Sequence, residues 1–201
     1  MAALTIPVAV SNHRATQLES QFKKGVSNLN NALRMMQYNE PHWQVNLDDW
    51  KNAEGNQNGN DAAKRIGVLL KNCFVGAEGY VGERTSRRSF DKYYKNYQNT
   101  LAGDNYLGVF GYFDTADGMT VFPECSGDCN PMQIFIDING TNRKPNRQGH
   151  DLFAFEIDKE TGMLIPATRW GKNCNNTSKN SGFDCTQQAM SQKDYFKNLP
   201  K

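Results

Sequence analysis

The sequence predicts a single α+β domain in which a long N-terminal helix packs on a small antiparallel sheet. Between residues 18 and 36, apolar residues recur at intervals of three and four, which is the period of one helix face. Beyond Gly103 the pattern changes to short apolar runs separated by turn residues, which indicates hairpins. We therefore expect one helix-on-sheet domain with a loop-rich, disulfide-containing C-terminal region.

The first helix is predicted over residues 4–38. Its second half is amphipathic, and the residues expected to pack on the sheet are Leu18, Phe22, Val26, Leu29, Leu33 and Met36. Before residue 11 the sequence is apolar on all sides of the helix, and Pro7 suits a first turn or a kink. The prediction divides the chain into this helix, residues 1–38, and a globular headgroup, residues 39–201.

The segment after the first helix is predicted to contain two shorter helices. Residues 39–60 show no period and end in an Asn/Gly-rich run, so they are interpreted as a connecting loop. A helix follows over residues 62–73, capped by Asn60 or Asp61. Aromatic residues spaced three or four apart predict a further helix over residues 87–99.

Short apolar runs in the second half predict an antiparallel sheet of three or four strands. The candidate segments are residues 106–113, 119–122, 132–138, 151–157 and 163–165. An Asp-Gly turn joins the first two segments, and a Lys-Glu-Thr-Gly turn joins the last two. A long turn over residues 139–150 connects the remaining strands.

Composition limits the classes of function. The chain of 201 residues carries 23 basic and 21 acidic side chains, and its mean hydropathy is −0.73, as in a globular domain. Because the two charges are interspersed, no basic face is predicted and nucleic acid is not an expected partner. The motifs of serine hydrolases, zinc proteases and phosphate-binding loops do not occur, so we do not expect an enzyme or catalytic residues.

The five cysteines lie mostly in loop-like sequence, which favours disulfides formed in an oxidising compartment. Cys174 and Cys185 enclose ten residues, and a bridge between them is our first prediction. The bridge would stabilise the folded chain by roughly 3 kcal/mol, because it lowers the conformational entropy of the unfolded chain. Cys125 and Cys129 are the second candidate pair, unless one of them pairs with Cys73. Reduced, buried thiols are the alternative for all five.

The segment 137–151 is the candidate metal site. Its hard oxygen donors, which suit calcium, are Asp137, Asn139, Thr141, Asn142, Asn146 and Asp151. Two glycines in the segment would let the backbone wrap around a cation. The spacing differs from that of the twelve-residue calcium loop and no glutamate closes the segment. A metal-free turn held by Asn and Asp side chains is therefore the alternative to calcium as a cofactor.

Several segments carry a resemblance to a known family. These are Ala2-Ala-Leu-Thr-Ile-Pro7, the helix Phe22-Lys-Lys-Gly-Val-Ser-Asn-Leu-Asn-Asn-Ala-Leu33, the turn Ala116-Asp-Gly118, the segment from Asp137 to Phe153, and Gly182-Phe-Asp-Cys185. The fourth is similar to an Asp-x-Asn-Gly…Pro-Asn…Gly-x-Asp-x-Phe signature of prepilin-type proteins. In this order the segments resemble a type IV pilin or a type II secretion pseudopilin that begins inside its N-terminal helix.

The resemblance implies a non-enzymatic structural subunit of a helical filament. The assembly helix would contain Leu4, Ile6, Pro7, Val8 and Val10, and would bundle with the helices of other pilin or pseudopilin subunits. A basic leader, a cleavage glycine and about 15–20 further apolar residues would complete a membrane span in the native precursor. Prepilin peptidase would process that precursor at the bacterial inner membrane, and the headgroup would then face the periplasm or the exterior. The chain as given is expected to be soluble.

A binding module is the alternative function, in which a pilin-like fold at the cell surface would bind carbohydrate or another partner. The aromatic side chains that could form such a surface are Trp43, Trp50, Tyr93, Tyr94, Tyr97, Tyr106 and Trp170. Solvent exposure distinguishes the two hypotheses, because a binding surface leaves a cluster of rings exposed and core packing buries them.

Overall fold

A computed structural model of the chain describes residues 5–41, 57–81, 94–100, 107–124, 132–168, 174 and 182–200. The helices are α1 (Thr5–Asn39), α2 (Gln57–Asn72) and α3 (Cys185–Ser191), followed by a 3₁₀ turn at Tyr195–Asn198. The strands are β1 (Glu78–Val81), β2 (Gly111–Asp114), β3 (Thr120–Glu124), β4 (Gln133–Asp137), β5 (Leu152–Ile157) and β6 (Leu164–Pro166). The predicted α+β class, with a long N-terminal helix on an antiparallel sheet, is confirmed.

The described strands form one sheet in which each strand pairs antiparallel with the next along the chain. There are six strands in this sheet, whereas the sequence predicts three or four. The additional edge strand, β1, pairs with β2 through Glu78 opposite Asp114 and Val81 opposite Gly111. Strands β3, β4 and β5 lie at the centre and are buried along their whole length.

Alternate residues of the central strands enter two apolar clusters, as the two-residue period of a strand requires. The cluster under α1 includes Val121, Ile134, Ile136, Phe153 and Phe155 from the sheet. The opposite face packs a second cluster, whose members are Tyr94, Leu107, Phe122, Phe135, Leu152, Ala154, Ala167 and Phe183. Both faces of the sheet are therefore covered: α1 and α2 contribute to the first cluster, and described loop residues contribute to the second.

α1 is one continuous helix of 35 residues, which corresponds to a length of about 52 Å. Of the residues predicted to pack on the sheet, Leu18, Phe22, Leu29, Leu33 and Met36 are buried, and Val26 is half-buried against the same cluster. Among the described side chains of α1, burial begins at Ala15, and residues 12–14 are exposed. Within the described part of the chain, no helix combines the length and the apolar character needed to cross a bilayer.

Three local predictions are wrong. α2 begins at Gln57 rather than at residue 62, so residues 57–60 of the Asn/Gly-rich run and both proposed caps lie inside the helix. Residues with a low helix propensity lower the stability of a first helical turn only slightly, because the first four backbone N–H groups of a helix have no intrahelical hydrogen-bond partner. The strand predicted over 106–113 begins only at Gly111, since residues 107–110 form a turn.

The helix predicted over 87–99 is wrong where the structure describes it, because residues 94–100 are not helical. Lys95 instead lies beside the loop after β4: its N–H donates to the carbonyl of Asn146 at 2.9 Å, and its carbonyl accepts from Gln148 at 2.9 Å. The Asn96 side chain then accepts from the N–H groups of Gln98 and Thr100, both at 3.0 Å. These local hydrogen bonds replace those of a helix.

The predicted disulfide between Cys174 and Cys185 is present, with the two Cα atoms 4.4 Å apart. It ties residue 174 to the first residue of α3. Cys73 is a half-buried free thiol that donates to the Leu69 carbonyl at 3.3 Å. The second candidate pair, Cys125 and Cys129, lies outside the described residues.

Candidate functional site

Asp137, the last residue of β4, organises the start of the 137–151 segment. Its Oδ1 accepts hydrogen bonds from the N–H groups of Asn139 at 3.1 Å and Gly140 at 2.8 Å. The Tyr94 hydroxyl donates to Oδ2 at 2.6 Å. The carboxyl group is fully buried. Asp137 therefore fixes the turn after β4 and joins it to Tyr94, which belongs to the cluster on the sheet face opposite α1.

Asp151 organises the end of the same segment in a similar way. Its Oδ2 accepts from the N–H of Asn146 at 2.7 Å, and its Oδ1 accepts from the N–H of Arg147 at 2.7 Å. Asp151 is also fully buried, and its backbone carbonyl accepts from Ile138 at 2.9 Å. Two backbone donors that a loop would otherwise leave unpaired are thus satisfied by one side chain.

Two asparagines complete the interior of the segment. The Asn139 amide donates to the Lys144 carbonyl at 3.2 Å, and the Asn146 amide donates to the Thr141 carbonyl at 2.9 Å. Both side chains are buried, and neither Oδ1 atom has a hydrogen-bond partner within the described structure. These two oxygens are the atoms of the segment best placed to accept a further donor or a cation.

The predicted donor set is therefore only partly brought together. Asp137, Asn139, Asn146 and Asp151 lie in one buried cluster, and Thr141 joins it through its backbone carbonyl. Asn142 is exposed, and nothing in the structure places it at this cluster. The carboxylate oxygens already accept N–H or O–H groups, an arrangement that also serves as a turn without metal. Calcium binding stays a prediction.

Burial dominates the electrostatics of the two aspartates. It raises the pKa of Asp137 to about 8, with the nearby charge of Asp151 as the second cause. Burial also raises the pKa of Asp151 to about 6, against the lowering effect of the N–H groups of Arg147 and Asn146. Burial and the neighbouring Asp137 hold the pKa of Tyr94 well above its usual range. At neutral pH the pair therefore retains a proton unless a cation compensates its charge.

Comparison with known protein families, curated proteins and solved structures found no match. The function must therefore be argued from the residues and their geometry.

The remaining predicted site residues are those of the assembly helix and those of the aromatic binding surface. Ile6, Pro7, Val8 and Val10 belong to the first turns of α1, and Leu4 lies outside the described residues. Of the aromatic residues proposed as a binding surface, Tyr94 and Tyr97 are buried in the two apolar clusters. The remaining five, Trp43, Trp50, Tyr93, Tyr106 and Trp170, lie outside the described residues.

Sequence reasoning does not single out Arg147, although it lies inside the predicted segment. Its side chain is buried, and it donates to the backbone carbonyls of Tyr97 and Pro200. These contacts tie the 137–151 segment to two distant parts of the chain. A basic residue between Asn146 and Gln148 gives no signal of burial in the sequence.

We expect the free energy of unfolding to fall as the pH rises from about 4 to about 8. Over this range Asp137 keeps its proton in the folded protein and loses it in the unfolded chain, so the unfolded state binds fewer protons. Each unit of pKa shift corresponds to about 1.4 kcal/mol, and we expect a decline of at least that size. Asp137→Asn keeps an oxygen acceptor without an ionisable group, so it should remove the contribution of Asp137 and leave only the smaller decline that Asp151 causes between about pH 4 and 6. Urea unfolding at several pH values measures the difference.

Two controls define this experiment. Burial lowers the pKa of His150 to about 3, so His150 makes a contribution to stability that increases with pH between about 3 and 6.5. The comparison must therefore be made between the wild type and Asp137→Asn rather than on the wild type alone. Glu160→Gln, at an exposed position, should leave the profile unchanged. Added calcium would abolish the wild-type decline if it binds the ionised pair, and an unchanged profile in Asp137→Asn would contradict the assignment.

Proposed function

We propose that the chain is a non-enzymatic structural subunit, a pilin or pseudopilin, of a type IV pilus or a type II secretion-like filament. In this proposal the N-terminal part of α1 makes the contacts between subunits, and the rest of the chain forms a headgroup. The subunit would be anchored in the bacterial inner membrane before assembly and would afterwards lie in the periplasm or outside the cell.

The extent of α1 is the observation that supports the proposal most directly. The helix begins at Thr5, whereas its described buried side chains begin at Ala15. The ten residues from 5 to 14 correspond to about 15 Å of helix ahead of the first buried side chain that the structure describes. This part contains the apolar residues Ile6, Val8 and Val10. Apolar side chains on several sides of a helix are favourable only where they contact other apolar groups. Neighbouring copies of the same helix would provide such neighbours in a filament with helical symmetry.

The 137–151 segment supports a structural role for the headgroup. The side chains of Asp137 and Asp151 bind backbone N–H groups of their own segment, which a rigid connection between strands requires. Buried Tyr94 and Tyr97 give no support to the alternative of a carbohydrate-binding module.

The proposal can be tested by photo-crosslinking in the source cells. A photoreactive amino acid at Val8 should give a ladder of crosslinked species that contain this chain or other pilin-like subunits. The same residue at Arg34, which is exposed on α1 within the headgroup, serves as the comparison for contacts outside the assembly helix. The ladder from Val8 should disappear in cells without prepilin peptidase, because unprocessed subunits would stay in the membrane.

A monomer that gives no ladder at Val8, or a ladder that does not depend on the peptidase, would contradict the proposal. In that case retention of the chain on immobilised glycans would favour the binding-module alternative.

A further inference from the structure

A pocket of about 190 Å³ lies where the start of α1 meets the 137–151 segment and the C-terminal 3₁₀ turn. Its walls include Arg14 and Leu18 from α1, Arg147 and His150 from the segment, and Phe196 and Lys197 from the turn. Drug-sized ligands occupy pockets of about 300–1,000 Å³. A pocket of the observed size suits a small molecule of a few carbon atoms.

The charge of this pocket is positive. Three cationic side chains line it, and no acidic side chain does so within the described part of the chain. Lys197 pairs with Asp194 at 2.7 Å. Neither Arg14 nor Arg147 forms an ion pair with any described residue, although Arg147 is only 6% exposed. Asp151 compensates part of the charge of Arg147 electrostatically without forming an ion pair with it, and an anionic ligand at the pocket would add to that compensation.

Two buried polar atoms of residues that line the pocket have no hydrogen-bond partner among the described residues. They are Nε of Arg147, which is a donor, and Nε2 of His150, whose side chain is 5% exposed. Burial, followed by the charges of Arg147 and Arg14, lowers the pKa of His150 to about 3, so the ring is neutral at physiological pH. A buried polar group without a partner costs about 1–3 kcal/mol. An acceptor oxygen on a ligand would recover that cost at Nε of Arg147, whereas the neutral His150 ring, hydrogen-bonded to the Tyr97 backbone, would accept rather than donate at Nε2.

We propose that this pocket binds a small organic acid, with its carboxylate at Arg147 and Arg14 and its apolar part against Leu18 and Phe196. A guanidinium group matches the two oxygens of a carboxylate, and the apolar walls disfavour a fully hydrated inorganic anion. The site does not include the apolar residues Ile6, Val8 and Val10 that the filament proposal uses for assembly. It therefore stands or falls independently of that proposal.

The experiment is a calorimetric and NMR titration of the full, disulfide-intact chain with sodium butyrate, with butyramide as the neutral match. We expect saturable binding of butyrate in the millimolar range or tighter. Butyramide should bind at least tenfold more weakly. Titration with inorganic phosphate separates carboxylate recognition from general anion binding. Absence of saturable butyrate binding, or equal affinity for butyrate and phosphate, would overturn the proposal.

Variants identify the residues that bind. Arg14→Gln, at an exposed position, should weaken butyrate binding about tenfold or more and leave the fold intact. Arg34→Gln removes an equivalent exposed charge from the same helix outside the pocket, and should leave the affinity unchanged. Arg147→Lys keeps the buried charge but lacks the Nε donor, and should also weaken binding. Equal losses in Arg14→Gln and Arg34→Gln would show that net charge alone attracts the ligand, which contradicts the proposed site.

Discussion

Replacing Phe22 with Ala is expected to lower the free energy of unfolding by about 3–5 kcal/mol, the usual cost of removing a buried aromatic ring. Phe22 packs its ring from α1 against three aromatic rings of the core. Its ring centroid lies 4.6 Å from that of Phe153, 5.5 Å from that of Phe196 and 6.3 Å from that of Phe155. The substitution removes contacts with β5 and with the C-terminal 3₁₀ turn at once. Urea unfolding of the oxidised protein measures the loss.

Tyr38→Ala is the matched control for this prediction. It removes an aromatic ring from the same helix, but the Tyr38 side chain is 87% exposed. We expect a change within about 0.5 kcal/mol, as for most surface substitutions. Ala has a higher helix propensity than Phe or Tyr, so helix propensity cannot cause a loss. Similar losses in the two variants would therefore contradict packing on the sheet as the cause.

Gly149→Ala is expected to destabilise the protein by about 2–5 kcal/mol, the sum of two costs. The first is the backbone conformation, because Gly149 has a φ of +74°, which costs a residue with a Cβ about 1–2 kcal/mol. The second is space: a Cβ atom would lie 2.6 Å from Sγ of Cys185 and 2.8 Å from Cδ2 of Tyr97. Overpacking of this kind costs about 1–3 kcal/mol. Thermal or urea unfolding under oxidising conditions tests the prediction.

Gly118→Ala separates the two costs. Gly118 also has a positive φ, +86°, but a Cβ atom at this position would meet no described atom within 4 Å. Only the backbone cost of about 1–2 kcal/mol therefore applies. We expect Gly149→Ala to be clearly more destabilising than Gly118→Ala. If the two variants lose the same stability, the contact between residue 149 and the disulfide has no energetic importance.

The sequence is sufficient to predict the elements with a strong and local pattern. The apolar stripe of α1 recurs over six positions, and the predicted end at residue 38 differs by one residue from the observed end at Asn39. The last hairpin is predicted equally well, since the Asp158 side chain binds the N–H and hydroxyl of Thr161 within the turn itself. In such elements the information that determines the structure lies within a few residues.

Elements that depend on distant partners leave no such pattern. β1 contains only four residues, including Gly79, and forms because β2 offers it an edge. The aromatic spacing over 90–97 favours one helix face. Tyr94 and Tyr97 instead belong to the two different apolar clusters, in the non-helical segment that pairs with the loop after β4.

The candidate sites show the same division. The grouping of Asp137, Asn139, Asn146 and Asp151 follows from a continuous segment, which the sequence is enough to locate. The basic pocket combines three segments, and its two arginines are separated by more than 130 positions of the printed sequence. Each of those segments alone has an ordinary composition, so only the folded chain shows that their charges converge.

The packing of Phe196 on Phe22 has a consequence for the order in which the chain folds. Each strand of the sheet pairs with its neighbour in sequence, so the hairpins can form one after another as the ribosome synthesises them. α1 is made first, yet Phe22 receives its contact with Phe196 only after residues 195–198 have emerged. The first helix therefore stays incompletely covered until residues 195–198 have been synthesised, and a chaperone or a membrane surface has that whole interval in which to bind it.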